Sequence, residues 1–163
     1  MKYRVLSASV FALLMNQVSA QVCNEQIQPS SPTERFVELE DGRVLDVVTM
    51  LSWDLCLLGQ DFVDGVCTGS PYAYGDWGDA LVAADGSGGR LPNIKELSTL
   101  VERSCVEPAI NQDVFADTPL YLFWTSTPDE SGVGRVIDFT DGTEIVRAVN
   151  RPRVVRLVWD GVN

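Results

Sequence analysis

The sequence of 163 residues contains no histidine, and this absence removes whole classes of active site. Ser-His-Asp and Cys-His machinery both need an imidazole to carry the proton, and histidine-ligated metal sites need its ring nitrogens. A glycine-rich phosphate loop is missing as well. The sequence therefore favours a protein that is not an enzyme, with no catalytic residue to assign.

Positive charge is the second shortage. The chain has 12 Lys and Arg against 23 Asp and Glu, which gives a formal net charge of −11. Nucleic acid, anionic membranes and sulfated polyanions are bound through positive side chains that displace counterions, so all three are disfavoured as partners. The acidic balance indicates solubility outside the cell more than a role in binding cations.

Long apolar runs are also scarce. Residues 5–15 form an apolar run, but a membrane span takes about 20 residues. The run follows Lys2 and Arg4 and precedes a small-residue motif that ends at Ala20, which is typical of a secretory signal peptide. We predict that residues 1–20 are removed and that the mature protein is secreted, periplasmic or at the cell surface. Removal leaves 10 basic and 23 acidic residues, a net charge of −13.

Only four cysteines are present, and an even number in an exported chain indicates disulfides. Four thiols allow three pairings, which sequence alone does not separate. Cys56–Cys67 is favoured because two glycines between them let the chain turn back. The remaining pair, Cys23–Cys105, would tie the N-terminus to the core. A four-thiolate zinc site is the alternative, but the paired C-x-x-C spacing typical of such sites is missing.

Strand patterns begin at residue 35, after a polar leader at residues 21–34 that we expect to be extended. "RFVELEDGRVLDVV" alternates around Asp41-Gly42, a hairpin turn signal, and "RVIDFTDGTEIVRAV" does so around Asp141-Gly142. Residues 56–71 are expected to be a glycine-rich loop. The candidate sheet residues of the first hairpin are Phe36, Val44, Leu45, Val47 and Val48.

Two helices are predicted between the hairpins. In "GDWGDALVAADG" Asp76 is the N-cap and apolar residues recur on one helical face. In "RLPNIKEL" Pro92 keeps the preceding residue extended, Asn93 caps the next helix, and Glu96 completes a capping box. We expect this second helix to run to about Ser104 and to serve the shape of the fold.

The chain ends with two strand patterns, "YLFWTST" and "RVVRLVW". In the closing strand Val155, Leu157 and Trp159 alternate with Arg156, Val158 and Asp160. The sequence thus predicts a single α+β domain over residues 35–163, with antiparallel sheets, two helices and long disulfide-stapled loops. Its two ends are expected to meet in one sheet.

Two tyrosines are the candidate ligand-binding residues. Tyr72 and Tyr74 lie in a loop flanked by glycine and proline, with no periodic burial pattern. An exposed aromatic ring can stack on a sugar or anchor a partner protein. The four tryptophans are instead expected in the core, because they lie in predicted strands or on an apolar helix face: Trp53, Trp77, Trp124 and Trp159.

Taken in order, "DGRVLDVVTMLSW", "YGDWGDAL", "RLPNIKEL", "FWTST" and "VVRLVW" resemble the Lcl C-terminal domain family, also known as DUF1566. The resemblance covers residues 35 to about 160 and implies a C-type-lectin-like fold. Gly89 departs from the family pattern, in which a tryptophan usually precedes Arg-Leu-Pro. The collagen-like adhesin that names the family has a Gly-X-Y tract, and none occurs here, so its trimeric state and glycosaminoglycan binding are not implied.

Calcium is the open question about metals. Sugar-binding C-type lectins hold calcium through a Glu-Pro-Asn or Gln-Pro-Asp loop, and this chain has neither. We therefore expect no metal site and no cofactor, with calcium left as an alternative. The acidic pairs that could meet a hard cation, although without the spacing of a calcium loop, are Asp61/Asp64, Asp113/Asp117 and Asp129/Glu130.

The residues and the resemblance together favour an exported, non-catalytic recognition module with a role in adhesion. It would bind a glycan or a surface protein through its long loops, because a rigid scaffold with variable loops is how such folds present sites. One alternative is a structural subunit of an envelope or surface assembly. Another is an oxidative enzyme related to the formylglycine-generating enzymes, which would need a reactive thiol.

Overall fold

The structure is a computed structural model that describes residues 21–116, 118–146 and 151–161. The predicted signal peptide, residues 1–20, lies outside the described residues. The helices are α1 (Trp77–Gly86) and α2 (Ile94–Ser98), with a 3₁₀ turn at Thr33–Arg35. The described strands, numbered along the chain, are β1 (Val22–Cys23), β2 (Phe36–Glu38), β3 (Arg43–Asp46), β4 (Leu51–Asp54), β5 (Asp61–Val63), β6 (Val66–Thr68), β7 (Cys105–Val106), β8 (Leu122–Pro128), β9 (Gly134–Asp138), β10 (Thr143–Ile145), β11 (Arg153–Val154) and β12 (Val158–Asp160).

Strands from both ends of the chain meet in one antiparallel sheet, in the order β12-β4-β3-β2. The hairpin predicted around Asp41-Gly42 joins β2 to β3, and Gly42 has the positive φ, 81°, that glycine tolerates best. Val44, Trp53 and Val158 pair across the neighbouring strands β3, β4 and β12 and are fully buried. The predicted meeting of the two chain ends is confirmed.

Val47 and Val48 were predicted as sheet residues, and this was wrong. They follow β3 in a turn and are 46% and 71% exposed. The buried carboxylate of Asp46 accepts hydrogen bonds from the N–H of Val48 at 3.0 Å and from the hydroxyl of Thr49 at 2.6 Å. These bonds end the strand by turning the chain, as short acidic side chains commonly do.

The second sheet has the order β10-β9-β8-β11. The hairpin predicted around Asp141-Gly142 joins β9 to β10, and β9 also runs antiparallel to β8. In contrast, β11 pairs with β8 in parallel, Arg153 with Leu122 and Val154 with Phe123. The described sheets are therefore mostly, but not wholly, antiparallel.

The prediction of one closing strand was wrong. β11 belongs to the second sheet and β12 to the first, so residues 155–157 cross from one sheet to the other. Val154 to Val158 are all buried, and the expected alternation is absent because both sides of this crossing face protein. Arg156, which the predicted alternation set apart from Val155 and Leu157, is only 1% exposed.

Arg156 is a buried cation at the junction of the two sheets. Its Nη1 donates to the backbone carbonyls of Asp54 and Leu55, both at 2.6 Å, and its Nη2 donates to Thr118 Oγ1 at 3.1 Å. Its guanidinium carbon lies 4.7 Å from the centre of the Phe115 ring. Burial lowers the pKa of Arg156 to about 10, so the group remains charged at neutral pH.

The second helix is shorter than predicted. α2 ends at Ser98 instead of Ser104, although Leu100 and Val101 are buried as expected. The Thr99 carbonyl accepts a hydrogen bond from Arg35 Nη1 at 3.0 Å, and the Glu102 N–H donates to a carbonyl in a later loop. Because these backbone groups bond to distant partners, they do not form the hydrogen bonds that would have continued the helix.

Residues 56–71, predicted as a loop, contain the β5–β6 hairpin. Its two-residue turn, Asp64-Gly65, has φ values of 50° and 83°, the backbone that matches the twist of a tight hairpin. The Cys56–Cys67 disulfide, favoured from the sequence, joins the start of this segment to β6.

The leader is held against the domain. Cys23 on β1 and Cys105 on β7 form the second disulfide, and the two strands pair. The carboxylate of Glu102 accepts hydrogen bonds from the N–H groups of Ser30 and Ser31 at 3.1 and 2.8 Å. Residues 21–34, predicted to be an extended leader, contain the two residues of β1, a turn at residues 25–26 and the start of the 3₁₀ turn, and these contacts fix them in place.

The buried side chains form two clusters. The first lies between the first sheet, α2 and the second sheet and includes Trp53, Leu97, Phe115 and Phe123. The second lies between α1 and the second sheet and includes Ala80, Ala84, Trp124 and Leu157. Of the tryptophans predicted in the core, Trp53 and Trp124 are buried, whereas Trp77 and Trp159 are half-buried. Among the described residues, no helix is long and apolar enough to cross a membrane.

Candidate functional site

The two tyrosines singled out from the sequence have different environments. Tyr72 is 63% exposed, and its ring lies against Gly59, where an added Cβ would come within 2.7 Å of it. Tyr74 is half-buried against the second cluster, and its carbonyl accepts a hydrogen bond from Trp124 Nε1 at 3.0 Å. Burial, with a smaller contribution from Tyr72, raises the pKa of the Tyr74 phenol. Tyr72 is the more accessible of the two rings.

Tyr72 belongs to residues 56–75, which we call the hairpin segment. Its β5–β6 hairpin exposes apolar side chains, namely Phe62, Val63 and Val66, at 39%, 47% and 58%. The ring of Phe62 also lies over Gly42, where an added Cβ would come within 2.8 Å of it. The hairpin segment is therefore braced by its disulfide and by the first hairpin, while its apolar side chains stay in reach of solvent.

A cleft of about 630 Å³ opens beside the hairpin segment. Ligand sites in proteins commonly measure about 300–1,000 Å³. Leu58 lines the cleft, and its carbonyl accepts the Tyr72 N–H at 2.9 Å, so Tyr72 adjoins it. The residues that line the cleft are Asp41, Arg43, Asp54, Leu58, Ser87, Gly88, Leu157 and Trp159.

The register of the first sheet brings three different side chains to this cleft. Side chains alternate between the faces of a strand, and Trp53 occupies the buried face, so Asp54 points to the other. Arg43 lies directly opposite Asp54 across β3 and β4. Trp159 lies opposite Ser52 across β12 and β4, on the same face as Asp54. A guanidinium, a carboxylate and an indole thus come from three neighbouring strands.

The rim of the cleft is an ion pair beside an aromatic ring. Arg43 Nε donates to Asp41 Oδ2 at 2.7 Å, and the guanidinium carbon lies 4.9 Å from the centre of the Trp159 ring. The hydrogen bond from Arg43 lowers the pKa of the Asp41 carboxyl, which therefore stays ionised. Trp159 Nε1 donates to the Gly88 carbonyl at 2.7 Å, which fixes the orientation of the indole.

Gly89 has a structural reason in this chain. An added Cβ at this position would come within 2.8 Å of the Trp159 ring. The indole of Trp159 thus lies against residue 89 at the edge of the cleft.

Asp54 is the carboxylate with the most unusual environment near the cleft. Burial raises the pKa of the Asp54 carboxyl, while the charges of Arg156 and Arg43 oppose that shift. Its Oδ1 accepts the Cys56 N–H at 3.2 Å. Carboxyl groups that are partly withdrawn from water in a cleft are more frequent at functional sites than elsewhere.

Sequence reasoning missed this cleft. Trp159 was assigned to the core, and Arg43 and Asp54 were not singled out at all. The turn signal at Asp41-Gly42 was available, and it fixes the register that sets residue 43 opposite residue 54. The position of Trp159 beside them depends on β12, which pairs with β4 from the far end of the chain.

The "RLPNIKEL" segment, in contrast, is satisfied internally. Arg90 Nη1 and Nη2 donate to the two carboxylate oxygens of Glu96 at 2.8 and 3.0 Å. Glu96 also accepts the Asn93 N–H at 2.7 Å, so the predicted capping box is confirmed. The hydrogen bonds from Arg90 to Glu96 and Asp160 raise the pKa of Arg90 above its already high value. This segment shapes the fold, as the sequence predicted.

None of the acidic pairs forms a metal centre among the described residues, where no group of three or more His, Cys, Asp or Glu could hold an ion. Asp61 and Asp64 are exposed on the β5–β6 hairpin. Asp129 Oδ1 accepts hydrogen bonds from the N–H groups of Ser131 and Val133 at 2.8 and 3.0 Å, and so closes its own turn. Asp117 lies outside the described residues.

All four cysteines are paired in the two disulfides. Neither a four-thiolate zinc site nor a reactive thiol is left in this state of the protein. The Asp76 side chain accepts hydrogen bonds from the N–H groups of Gly78 and Asp79 at 2.7 and 3.3 Å, so it serves as the cap of α1, as predicted.

These features define a class: a small α+β domain, cross-linked by two disulfides, with a ligand-sized cleft beside a braced hairpin. Comparison with family models gives the family. Residues 42–159 match the model of the Lcl C-terminal domain, and the chain belongs to that family. The match begins beside Asp41 and ends at Trp159, so it takes in most of the cleft. No curated protein and no solved structure matches the chain significantly.

Proposed function

We propose that this protein is an exported, non-catalytic recognition module that binds a glycan or a surface protein. The observation that carries the proposal is the hairpin segment, which exposes Tyr72 and three apolar side chains on a disulfide-braced base. A rigid base lowers the entropy lost on binding, and tyrosine offers a large contact area with few rotatable bonds. Recognition through a fixed, exposed aromatic surface follows from both properties.

The proposal includes a C-type-lectin-like arrangement and a location outside the cytoplasm. The two sheets, the two helices and the membership of the Lcl C-terminal domain family support the first. Two disulfides are typical of oxidising compartments and agree with the predicted signal peptide. A secreted, a periplasmic and a cell-surface location would each provide such an oxidising environment. The net charge of −11 continues to disfavour polyanions.

The test compares Tyr72→Ala with the wild-type protein in glycan-array and cell-envelope pull-down experiments. We expect Tyr72→Ala to weaken binding at least about tenfold, because exposed tyrosines often dominate recognition surfaces. Val82→Ala is the matched control, since Val82 is also an exposed side chain, at 74%, but lies on α1. Binding that Tyr72→Ala leaves unchanged would contradict this surface.

A structural subunit of an envelope or surface assembly is the second candidate, and one observation favours it. β2 is an edge of the first sheet, and Val37 on that strand is 50% exposed, while the turn residues Val48 and Met50 are 71% and 56% exposed. Exposed apolar edge strands promote pairing between chains. Stable self-association in sedimentation experiments, without a soluble ligand, would favour this candidate over recognition.

A further inference from the structure

The cleft on the outer face of the first sheet combines three kinds of contact. Asp54 and Asp41 provide carboxylate acceptors, Arg43 provides guanidinium N–H groups, and Trp159 provides an apolar ring. The side chains come from β3, β4, β12 and the turn before β3, all parts of one hydrogen-bonded sheet. Their relative positions are therefore fixed before any ligand arrives.

These contacts select a chemical class of ligand. An apolar ligand would leave the carboxylate of Asp54 without water or a partner, which is costly for a group already partly desolvated. An anionic ligand would meet two carboxylates on a protein of net charge −11. A neutral ring with hydroxyl groups can donate to carboxylates, accept from a guanidinium and place its C–H face on an indole.

We propose that the cleft binds a neutral sugar ring, with Asp54 and Asp41 accepting its hydroxyls and Trp159 contacting its C–H face. The inference rests on the proposed recognition function and names the ligand class of that surface. The cleft volume of about 630 Å³ accommodates one or two sugar rings. Tyr72 adjoins the cleft through its backbone hydrogen bond to Leu58, which lines it.

The experiment is an NMR titration of the full mature protein with glucose, galactose and N-acetylglucosamine, and with glucuronic acid as the charged comparison. We expect millimolar binding of at least one neutral sugar, as is common for one ring, with shifts of the Trp159 indole N–H and the backbone around Asp54. Glucuronic acid should bind at least about tenfold more weakly, because its carboxylate faces those of the cleft.

Variants locate the binding site. Asp54→Asn, which keeps the size of the side chain, should weaken sugar binding about tenfold, because it replaces a charged acceptor. Asp41→Asn, at an exposed position on the rim, provides a second variant whose folding should be unaffected. Asp113→Asn is the matched control, because Asp113 is exposed and does not line the cleft. A loss shared by both cleft variants, and absent from the control, supports the inference.

Three results would contradict sugar binding in the cleft, and they differ in whether they also contradict the proposed recognition function. Sugar shifts confined to Tyr72 and the β5–β6 hairpin would refute the cleft and keep the recognition function. Capture of a protein partner through Tyr72, with no response to any sugar, would do the same. No ligand of either kind, in titration, array or pull-down, would refute both the cleft and the proposed function.

Discussion

Residues 88–97 and the hairpin segment both contain glycine and proline. They differ in whether their side chains bond within the domain or remain exposed to solvent. In the first, Arg90, Asn93 and Glu96 bond to one another, and Ile94 N–H finds the Thr127 hydroxyl at 2.9 Å. In the second, Tyr72 and its apolar neighbours remain exposed while a disulfide holds the backbone.

This difference indicates that residues 88–97 stabilise the fold, whereas the hairpin segment is available to bind a ligand. A stretch whose polar groups are all satisfied within the domain stabilises the fold and has little left to offer a ligand. A stretch held by a covalent bond depends less on its side chains for stability, so more of their surface is available for contacts outside the molecule. The cleft offers side chains in the same way, since the partly desolvated carboxylate of Asp54 lines it and accepts the Cys56 N–H.

The largest expected effects come from removing the disulfides, and the one that braces the hairpin segment bears on the comparison. Replacing Cys56 and Cys67 together by Ser should lower the free energy of unfolding by about 3 kcal/mol in the loop-entropy model. Chemical denaturation under non-reducing conditions measures it. The comparison is the Cys23/Cys105 double replacement, whose longer loop predicts about 4.5 kcal/mol. Equal stability with and without the Cys56–Cys67 bond would show that side-chain contacts, not the disulfide, hold this segment.

A smaller loss of stability is expected from a substitution in residues 88–97. Glu96→Ala removes the acceptor for both Arg90 and the Asn93 N–H, and should lower the free energy of unfolding by about 1–2 kcal/mol. Lys95→Ala is the control, because the exposed Lys95 precedes Glu96 on the same helix and should change stability by less than about 0.5 kcal/mol. If Glu96→Ala also abolished ligand binding without unfolding the protein, the separation of shape from recognition would be wrong.

The smallest expected effect is a change in the pH dependence of stability when Asp54 is replaced. Its pKa is raised by burial in the folded state, so the folded protein binds this proton more tightly than the unfolded chain does. The stabilisation is present below the ordinary value of 3.8 and is lost as pH rises through the raised pKa. Asp54→Asn should therefore be more stable than the wild type at neutral pH, with the difference diminishing as pH falls through the raised pKa and levelling off below about 3.8.

Thermal unfolding of both proteins at several pH values measures this difference. The charged groups around Asp54 are Arg156, Arg43 and Asp41, and all three stay in place in the variant. A variant that is less stable than the wild type at neutral pH would mean that the attraction of Arg156 and Arg43 outweighs burial. Improved stability together with weaker sugar binding would be the pattern of a residue kept for function.

Much of the framework could be predicted from the sequence because its signals are local. The Asp-Gly turns of both long hairpins, the cap at Asp76 and the capping box of Asn93 and Glu96 each involve only a few neighbouring residues. Prediction was weaker where distant groups compete for the backbone. The Arg35 side chain and a later loop bond to the backbone after α2, so the helix ends early. Neither partner can be predicted from the residues next to Ser98.

The candidate site was predictable only in part. The exposure of Tyr72 follows from its irregular surroundings, whereas Tyr74 is half-buried because α1 and the second sheet form a cluster around it. The cleft needs Arg43, Asp54 and Trp159 on one face, and residue 159 is more than a hundred positions from the other two. Periodicity within a single strand carries no information about such a neighbour.

By itself, the sequence determined the turns, the helix caps, the even set of cysteines and the family, because each is written in short stretches or in composition. The tertiary structure alone decided that residues 153–159 divide between two sheets, that Arg156 is buried between them, and that Trp159 meets Asp54 at a cleft. The physical reason is that strand pairing across the whole chain depends on which faces can be buried together, and that is a property of the packed domain.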